Sequence, residues 1–433
     1  MLPQLPRSRL QVWFVRVCSC VLVWSCLAQL VAVGDLWRGR SSLLLATSSS
    51  SSSSSYSWGW NATARFFLSL QKDAAVSSFS PRAHSLPYPT SRLYKSNGYL
   101  KVSCNGGLNQ MRSAICDMVT VARFLNLTLV VPELDKRSFG RTTDARLANN
   151  GLPLAVQKLR CRVNYQALKF TPQIEALGNR LIKLLKEKGA YAALHLRYEM
   201  DMLAFSGCTH GCSMEEAEEL KRLRYAYPWW REKEIDSEAK RLQGLCPLTP
   251  EETLLVLQAF GFKNTTQMYI ASGEIYGSNH RLVSLRSAFP RLVRKEMLLD
   301  PEELRQFQNH SSQMAALDYM VSVSSDTFIP TYDGNMAKVV EGHRRYLGFR
   351  KSIILNRRKL VELLDLHARK MLSWAEFAST VQELHKERVG QPVCRKVMVG
   401  KPKEEDYFYA NPYECLINST ECIGASSSWD AIR

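Results

Sequence analysis

Between Tyr99 and Val131 the chain changes its pattern three times in quick succession. An apolar run from Tyr99 to Cys104 enters a turn, Asn105-Gly106-Gly107-Leu108-Asn109-Gln110. Apolar residues then recur at Met111, Ile115, Met118, Val119, Ala122 and Leu125, and a second apolar run spans Leu127 to Val131. Strand, glycine turn, helix and strand in that order make one unit of a parallel α/β sheet, because parallel neighbours need a helical crossover. The paired glycines let backbone N–H groups approach a ligand at a helix N-terminus, where negative charge is favoured. An anion- or sugar-facing loop is one reading of this turn. Simple packing of a helix on a sheet is the other.

The alternation continues. A helix is expected over Pro172–Glu187, capped by Thr171, with Ile174, Leu177, Leu181, Ile182, Leu184 and Leu185 on its apolar side. Tyr191–Leu196 reads as a buried strand and Arg222–Gln243 as a charged, solvated helix. Pro250–Phe260 is a helix ended by Gly261, and strand Gln267–Ala271 follows it. Asn279–Phe289 is helical, Ala315–Val323 a helix-to-strand passage, and Asn335–Leu347 a helix stopped at Gly348. Ser352–Leu355 reads as a strand, and helices Lys359–Lys370 and Trp374–Lys386 close the region. Residues 136–172 show no clear period. This α/β alternation predicts two doubly wound domains, 93–188 and 189–400, followed by a tail at 401–433.

What precedes them sets the compartment. A basic tail, 1–11, leads into an apolar run at 12–33, interrupted by Arg16, which is marginally long enough to cross a bilayer. A signal peptide cut near Ala32-Val33-Gly34 is the alternative to a retained anchor. Residues 34–92 include an unbroken serine tract, Ser48–Ser55, and read as a stem. Everything beyond the run is expected in the lumen. Sequons at Asn61, Asn126, Asn264, Asn309 and Asn418 suit that placement. Nine of the 12 cysteines lie outside the apolar run, an odd number, so at least one thiol is left free or pairs between chains. Cys208-Thr209-His210-Gly211-Cys212 lacks the further ligands of a metal site and points to disulfide chemistry instead. The formal charge of +17 implies acidic partners: nucleotide phosphates, uronic-acid polymers or lipid. Nucleic acid is not expected, because no recognised binding module is present.

Ligands of such folds bind beyond the carboxyl ends of strands, which singles out Cys104–Asn109, His195–Asp201, Ser272–Tyr276 and Ser324–Phe328. His195 and Arg197 share one face of a strand; an Arg fork suits a pyrophosphate, and a His beside it can serve the same phosphate or a sugar hydroxyl. Glu199 and Asp201 keep the same spacing, as acid/base candidates or to orient Arg197. Asp318 can accept from a base edge, while Ser325, Asp326, Thr327 and Phe328 can line a nucleotide; an ordinary helix and turn explain these residues equally well. His343-Arg344-Arg345 reads as a solvated or phosphate-facing edge, solvent first, and Glu404-Glu405-Asp406 as a solvated charge run. No Asp-X-Asp motif follows a strand, so a metal-bridged donor is not indicated.

Four motifs together resemble the plant O-fucosyltransferase-like glycosyltransferases: Cys104–Gln110, His195–Met202, Ala271–Gly277 and Thr331–Ala337. The resemblance covers about Tyr94 to Cys415. It implies a GT-B-like fold of two Rossmann-like domains facing a cleft, and a metal-independent, inverting, Golgi-resident enzyme anchored in the membrane. It implies no cofactor beyond a nucleotide sugar donor, and a protein or polysaccharide acceptor. His195 and Arg197 would then bind the donor pyrophosphate, Asp318 the base, and Ser325, Thr327 and Phe328 the nucleotide. Asn105, Gly106, Gly107 and Asn109 would face the transferred sugar. GDP-fucose is the first donor expected; UDP-rhamnose, used to extend pectin, is the alternative, because Asp144–Cys161 and Glu404–Cys415 resemble that subgroup. Members of the family continue after Leu134–Phe139 for several tens of residues, whereas here Phe139-Gly140-Arg141 runs straight into Thr142-Thr143-Asp144. The first domain is therefore expected to be shortened by an internal deletion, and an inactive glycan- or nucleotide-binding protein is the third reading. No general base stands out.

Overall fold

The computed structural model describes residues 96–102, 104, 107–130, 153–231, 234–394 and 408–416. Contacts divide the chain into Met1–Gly59 and Trp60–Arg433, and every described residue lies in the second. The expected anchor and stem, the junction at Phe139–Asp144 and the Glu404–Asp406 run lie outside the described residues. Among the described residues no helix is long and apolar enough to cross a membrane.

The unit predicted from the glycine turn is present. Strand β1 (Tyr99–Lys101) pairs in parallel with β2 (Thr128–Val130), and α1 (Leu108–Leu125) crosses between them. Met111, Cys116, Met118 and Ala122 turn inward at helical spacing. Asn126 ends the helix in the left-handed region, φ 57°, its amide returning to the carbonyls of Ala122 and Arg123.

Within the stretch without clear period lies α2 (Leu154–Arg162), continued by a π turn, Val163–Ala167. Its buried side carries Gln157 and Arg160 beside Cys161, so no apolar stripe announces it. Next comes α3 (Pro172–Glu187), with Thr171 and Pro172 at the expected N-terminal positions. Its buried residues Ile174, Leu177, Leu181 and Leu185 join a core cluster with Tyr191, Tyr269 and Leu317.

The main sheet is parallel, in the order β5-β4-β3-β6: β3 (Tyr191–His195), β4 (Gln267–Ile270), β5 (Leu292–Val293) and β6 (Thr327–Pro330). Every residue of β3 and β4 is buried, as strands covered on both faces require. Around them lie α4 (Met200–Ser206), α5 (Met214–Tyr225), α6 (Pro250–Ala259), α7 (Ser278–Ala288), α8 (Ser311–Ser324), α9 (Asn335–Tyr346), α10 (Arg357–Ala368) and α11 (Trp374–His385). The chain is thus a mixed α/β protein with parallel sheets.

Several expectations need correction. The segment Arg222–Gln243 is not one helix: α5 stops at Tyr225, Pro228 opens a short turn to Arg231, and Asp236 caps a separate helix, Ser237–Leu242. Ala315–Val323 is helical throughout, inside α8, and the strand begins only at Thr327. Ser352–Leu355 contributes a single bridge, Phe328 to Ser352. The pairing that the sequence left open is Cys208 with Cys246, and among the described residues Cys104, Cys116 and Cys212 are free thiols.

Part of the expected tail belongs to the core. Phe408, Tyr409 and Ala410 are buried, and Cys415 is bonded to Cys161 of α2. The Tyr409 hydroxyl donates to Asp117 of α1 (2.8 Å), and Tyr165 donates to the Tyr409 carbonyl (3.0 Å). Gly342 of α9 makes room for that carbonyl; a Cβ there would collide with it. This clip ties α1 and α2 to α9.

Candidate functional site

Parallel registration brings three strand ends together. Leu194 sits opposite Ile270, and His195 opposite Pro330. The segments beyond, His195–Asp201, Ala271–Tyr276 and Thr331–Gly334, therefore emerge on one side of the sheet, where open α/β sheets bind ligands.

The two-residue alternation expected after β3 holds. Leu194, Leu196 and Tyr198 enter the core, while Arg197 is part-exposed beside the buried His195 and Glu199. Thr331, whose role the sequence reading missed, closes the gap between strand ends. Its hydroxyl donates to the His195 carbonyl (3.0 Å) and accepts from the Arg197 amide (3.2 Å).

His195 is buried, and its Nδ1 lies 2.7 Å from the Ala271 carbonyl. A carbonyl only accepts, so Nδ1 carries the proton. Burial pushes the pKa of His195 down, which keeps the ring neutral. Nε2 is then a lone-pair acceptor suited to a hydroxyl, not a donor to phosphate.

Arg197 makes a 2.9 Å ion pair with Glu199 Oε1, an oxygen that also accepts from the Gly273 amide (3.1 Å). Burial alone would weaken the guanidinium's hold on its proton, but the carboxylates of Glu199 and Asp201 outweigh it and raise its pKa. The cation is fixed in charge and direction, with its side chain still 30% exposed. Asp201 stands in the first turn of α4 and accepts from the Met202 amide (2.7 Å).

Other expected residues lie elsewhere. Ser325, Asp326, Thr327 and Phe328 are at the amino end of β6, not its carboxyl end. Asp326 exchanges hydrogen bonds with Tyr191, the first residue of β3, through its side chain (2.8 Å) and its amide (3.1 Å). The Ser325 hydroxyl donates to Ser322 (2.9 Å), and Phe328 is core. They are separated from the His195–Arg197 end by a strand length of about 13 Å. The misplaced helix end explains the error: with α8 running to Ser324, the loop that reaches the carboxyl side is Thr331–Gly334, leading into α9.

Asp318 is interior. Tyr269 donates to one carboxylate oxygen (2.7 Å) and Lys295 to the other (2.8 Å), while Lys295 also holds the Ser272 carbonyl (2.8 Å). This buried network fixes the loop after β4 from beneath.

Of the glycine turn, Asn105 and Gly106 lie outside the described residues; Gly107 is the N-cap of α1. Asn109 is buried, and its Oδ1 has no hydrogen-bond partner. Leu108, at the start of the same helix, packs on the cluster containing Ala271 and, at its margin, Met336.

Of the edge expected at His343-Arg344-Arg345, Arg344 and Arg345 are buried and His343 is partly so. Arg344 is fully enclosed and donates to the carbonyls of Ser322, Val323, Ser325, Asp326 and Lys351, so it caps the carbonyl end of α8. Burial, with Arg350 nearby, lowers its pKa to about 10. Among the described residues no cluster of His, Cys, Asp and Glu is arranged to hold a metal ion.

Comparison with known proteins follows the same motifs. The family model for GDP-fucose protein O-fucosyltransferase matches residues 99–144 and 139–347. Rhamnogalacturonan I rhamnosyltransferase 1 of Arabidopsis thaliana is 55% identical, over 97% of this chain and 94% of the relative. Rhamnogalacturonan I rhamnosyltransferase 4 of the same plant is 53% identical, over 95% of each. O-fucosyltransferase 7, also from that plant, is 42% identical over 81% of this chain and 75% of its own. The first of these alignments runs over 495 positions, 62 more than the chain's 433 residues. No solved structure matches.

Proposed function

Because the chain belongs to the GDP-fucose protein O-fucosyltransferase family of glycosyltransferases, we propose that it moves a deoxyhexose from a nucleotide sugar onto a lumenal glycan. UDP-rhamnose is the donor we favour and a rhamnogalacturonan chain the acceptor. The support for that order is the 55% and 53% identity to two rhamnosyltransferases across almost the whole chain. GDP-fucose, expected first from the motifs alone, is the second reading; it rests on the family model and on the 42% identity to an O-fucosyltransferase.

The observation that carries the mechanism is Arg197, held by Glu199 at the end of β3. Its fixed cation neutralises the charge that develops on the departing diphosphate, so the reaction is proposed to run without a metal ion. The amides at the start of α9, after Gly334, add a helix N-terminus for the same phosphates. His195, neutral and protonated on Nδ1, accepts a hydroxyl proton through Nε2. Asp201 orients Arg197 from the next turn. Asp318 positions the Ser272 loop from the interior, which replaces the direct base contact first expected of it.

Asn105, Gly106, Gly107 and Asn109 are proposed to meet the transferred sugar across a GT-B-like cleft, with inversion at the sugar carbon. The enzyme is proposed to reside in the Golgi membrane through residues 12–33, its body in the lumen. The two family matches overlap at residues 139–144, where the sequence runs short, and this supports an internal deletion in the first domain.

Incubating the full chain with labelled UDP-rhamnose and GDP-fucose, each with a rhamnogalacturonan oligosaccharide, tests this reading. Transfer from UDP-rhamnose is expected, and Arg197→Ala should lower it by about 100-fold or more. Failure to bind or turn over either nucleotide sugar overturns it.

A further inference from the structure

Where α4 ends, a cavity of about 330 Å³ opens between α4, α5 and the segment Glu234–Ser237. It is lined on one side by Leu203, Ala204 and Gly207, and on the other by Lys221 and Arg224. Arg224 is nine-tenths buried, yet its guanidinium makes no hydrogen bond or ion pair with any described residue, and its Nε is wholly enclosed without a partner. Its guanidinium carbon lies 5.5 Å from the centre of the Tyr225 ring.

Enclosing a guanidinium without an anion costs several kcal/mol, so folded chains seldom leave one so. Here the fold makes room for it. Gly207 adopts φ +70° at the end of α4, and a Cβ there would lie 2.7 Å from Arg224 Nη1. The carboxylates that line the cavity, Glu218 and Glu234, are exposed and leave the guanidinium unpaired.

We infer that this cavity is a subsite for a carboxylate-bearing sugar of the acceptor, held by Arg224 through a charge-assisted pair. The inference rests on the proposed rhamnogalacturonan acceptor and adds where its carboxylates would be held and by which residue. The volume suits one sugar ring. Arg224 supplies the fork that a carboxylate fits, Glu218 and Glu234 can accept ring hydroxyls, and Leu203 and Ala204 offer an apolar wall. Position supports it as well. The cavity lies at the far end of the same helix that begins beside Asp201, and seven helical residues span about 10 Å, a spacing of roughly two sugar units.

Direct titration of the full chain tests this without requiring turnover. The probes are an oligosaccharide of alternating rhamnose and galacturonate and the same oligosaccharide with its carboxyl groups reduced to alcohols. The acid form should bind at least about tenfold more tightly, and Arg224→Gln should erase that preference. Ala217→Glu, which puts a competing carboxylate on the cavity wall without removing a buried group, should erase it too. UDP-rhamnose and GDP-fucose affinity, measured on the same preparations, should not change in either variant. Equal binding of the two oligosaccharides by the native chain, or a preference that survives both substitutions, overturns the subsite. Loss of nucleotide binding in the native chain would instead overturn the glycosyltransferase reading.

Discussion

β1 and β2 pair over three residues, with Tyr99 79% exposed and Val130 also in solvent; β3 and β4 pair over four with no residue exposed. Both pairs are parallel and both come from the same alternation of apolar runs and helices. They differ in cover. The larger sheet has α6, α7, α10 and α11 in one core cluster, and α3 and α8 in the cluster on Tyr191 and Tyr269. The smaller sheet has α1, and its cluster of Cys104, Met111 and Met118 is small. Parallel strands are stable only when both faces are buried. The small unit is therefore held mainly through α1, whose contacts with α9, with α2 and with the Phe408–Ala410 clip reach into the rest of the molecule.

The sharpest way to break this comparison is Arg344→Met. Four carbonyls at and just beyond the end of α8, and that of Lys351, lose their shared donor, and stability measured by urea unfolding should drop by roughly 3–5 kcal/mol. A loss below about 1 kcal/mol would mean that the large sheet does not carry the fold.

A pH series sharpens the same point more gently. Burial pushes Glu341 of α9 up to about 7, against an ordinary value of 4.5, with Arg345 only partly offsetting it. Between those values the folded chain keeps a proton that the unfolded chain releases, so stability should fall as pH rises through that window and level off above it. Glu341→Gln should flatten the profile and stabilise the protein at pH 8 by about 1–2 kcal/mol. An unchanged profile would show that Glu341 ionises normally.

The smallest effect belongs to the exposed sheet. Tyr99→Thr keeps strand propensity and removes a ring that lies in solvent, so unfolding free energy should shift by less than about 0.5 kcal/mol. A change of 2 kcal/mol would reveal cover on that face.

How much was legible from the chain follows the same division. The glycine-turn unit, the Thr171–Pro172 helix start, the helix stops at Gly261 and Gly348, and the His195–Arg197 pair at a strand end were all readable. Each depends on neighbours a few residues away. The segment α2 escaped because its buried side is Gln157, Arg160 and Cys161 rather than an apolar stripe. The Ser325–Phe328 loop was put at the wrong end of its strand because the helix before it runs on to Ser324. Apolar residues at Val321 and Val323 suit a strand and a buried helix equally.

By itself the sequence showed the α/β alternation, the family resemblance, and a His and an Arg together at the end of one buried strand. Local periodicity and capping are enough for that. The tertiary structure alone decided which polar groups are free to meet a ligand. Asp318 is occupied by Lys295 and Tyr269, and Arg344 by distant carbonyls, while Arg197 stays part-exposed and Arg224 stays unpaired among the described residues. A buried charge takes its meaning from partners many residues away, and only packing brings those partners together.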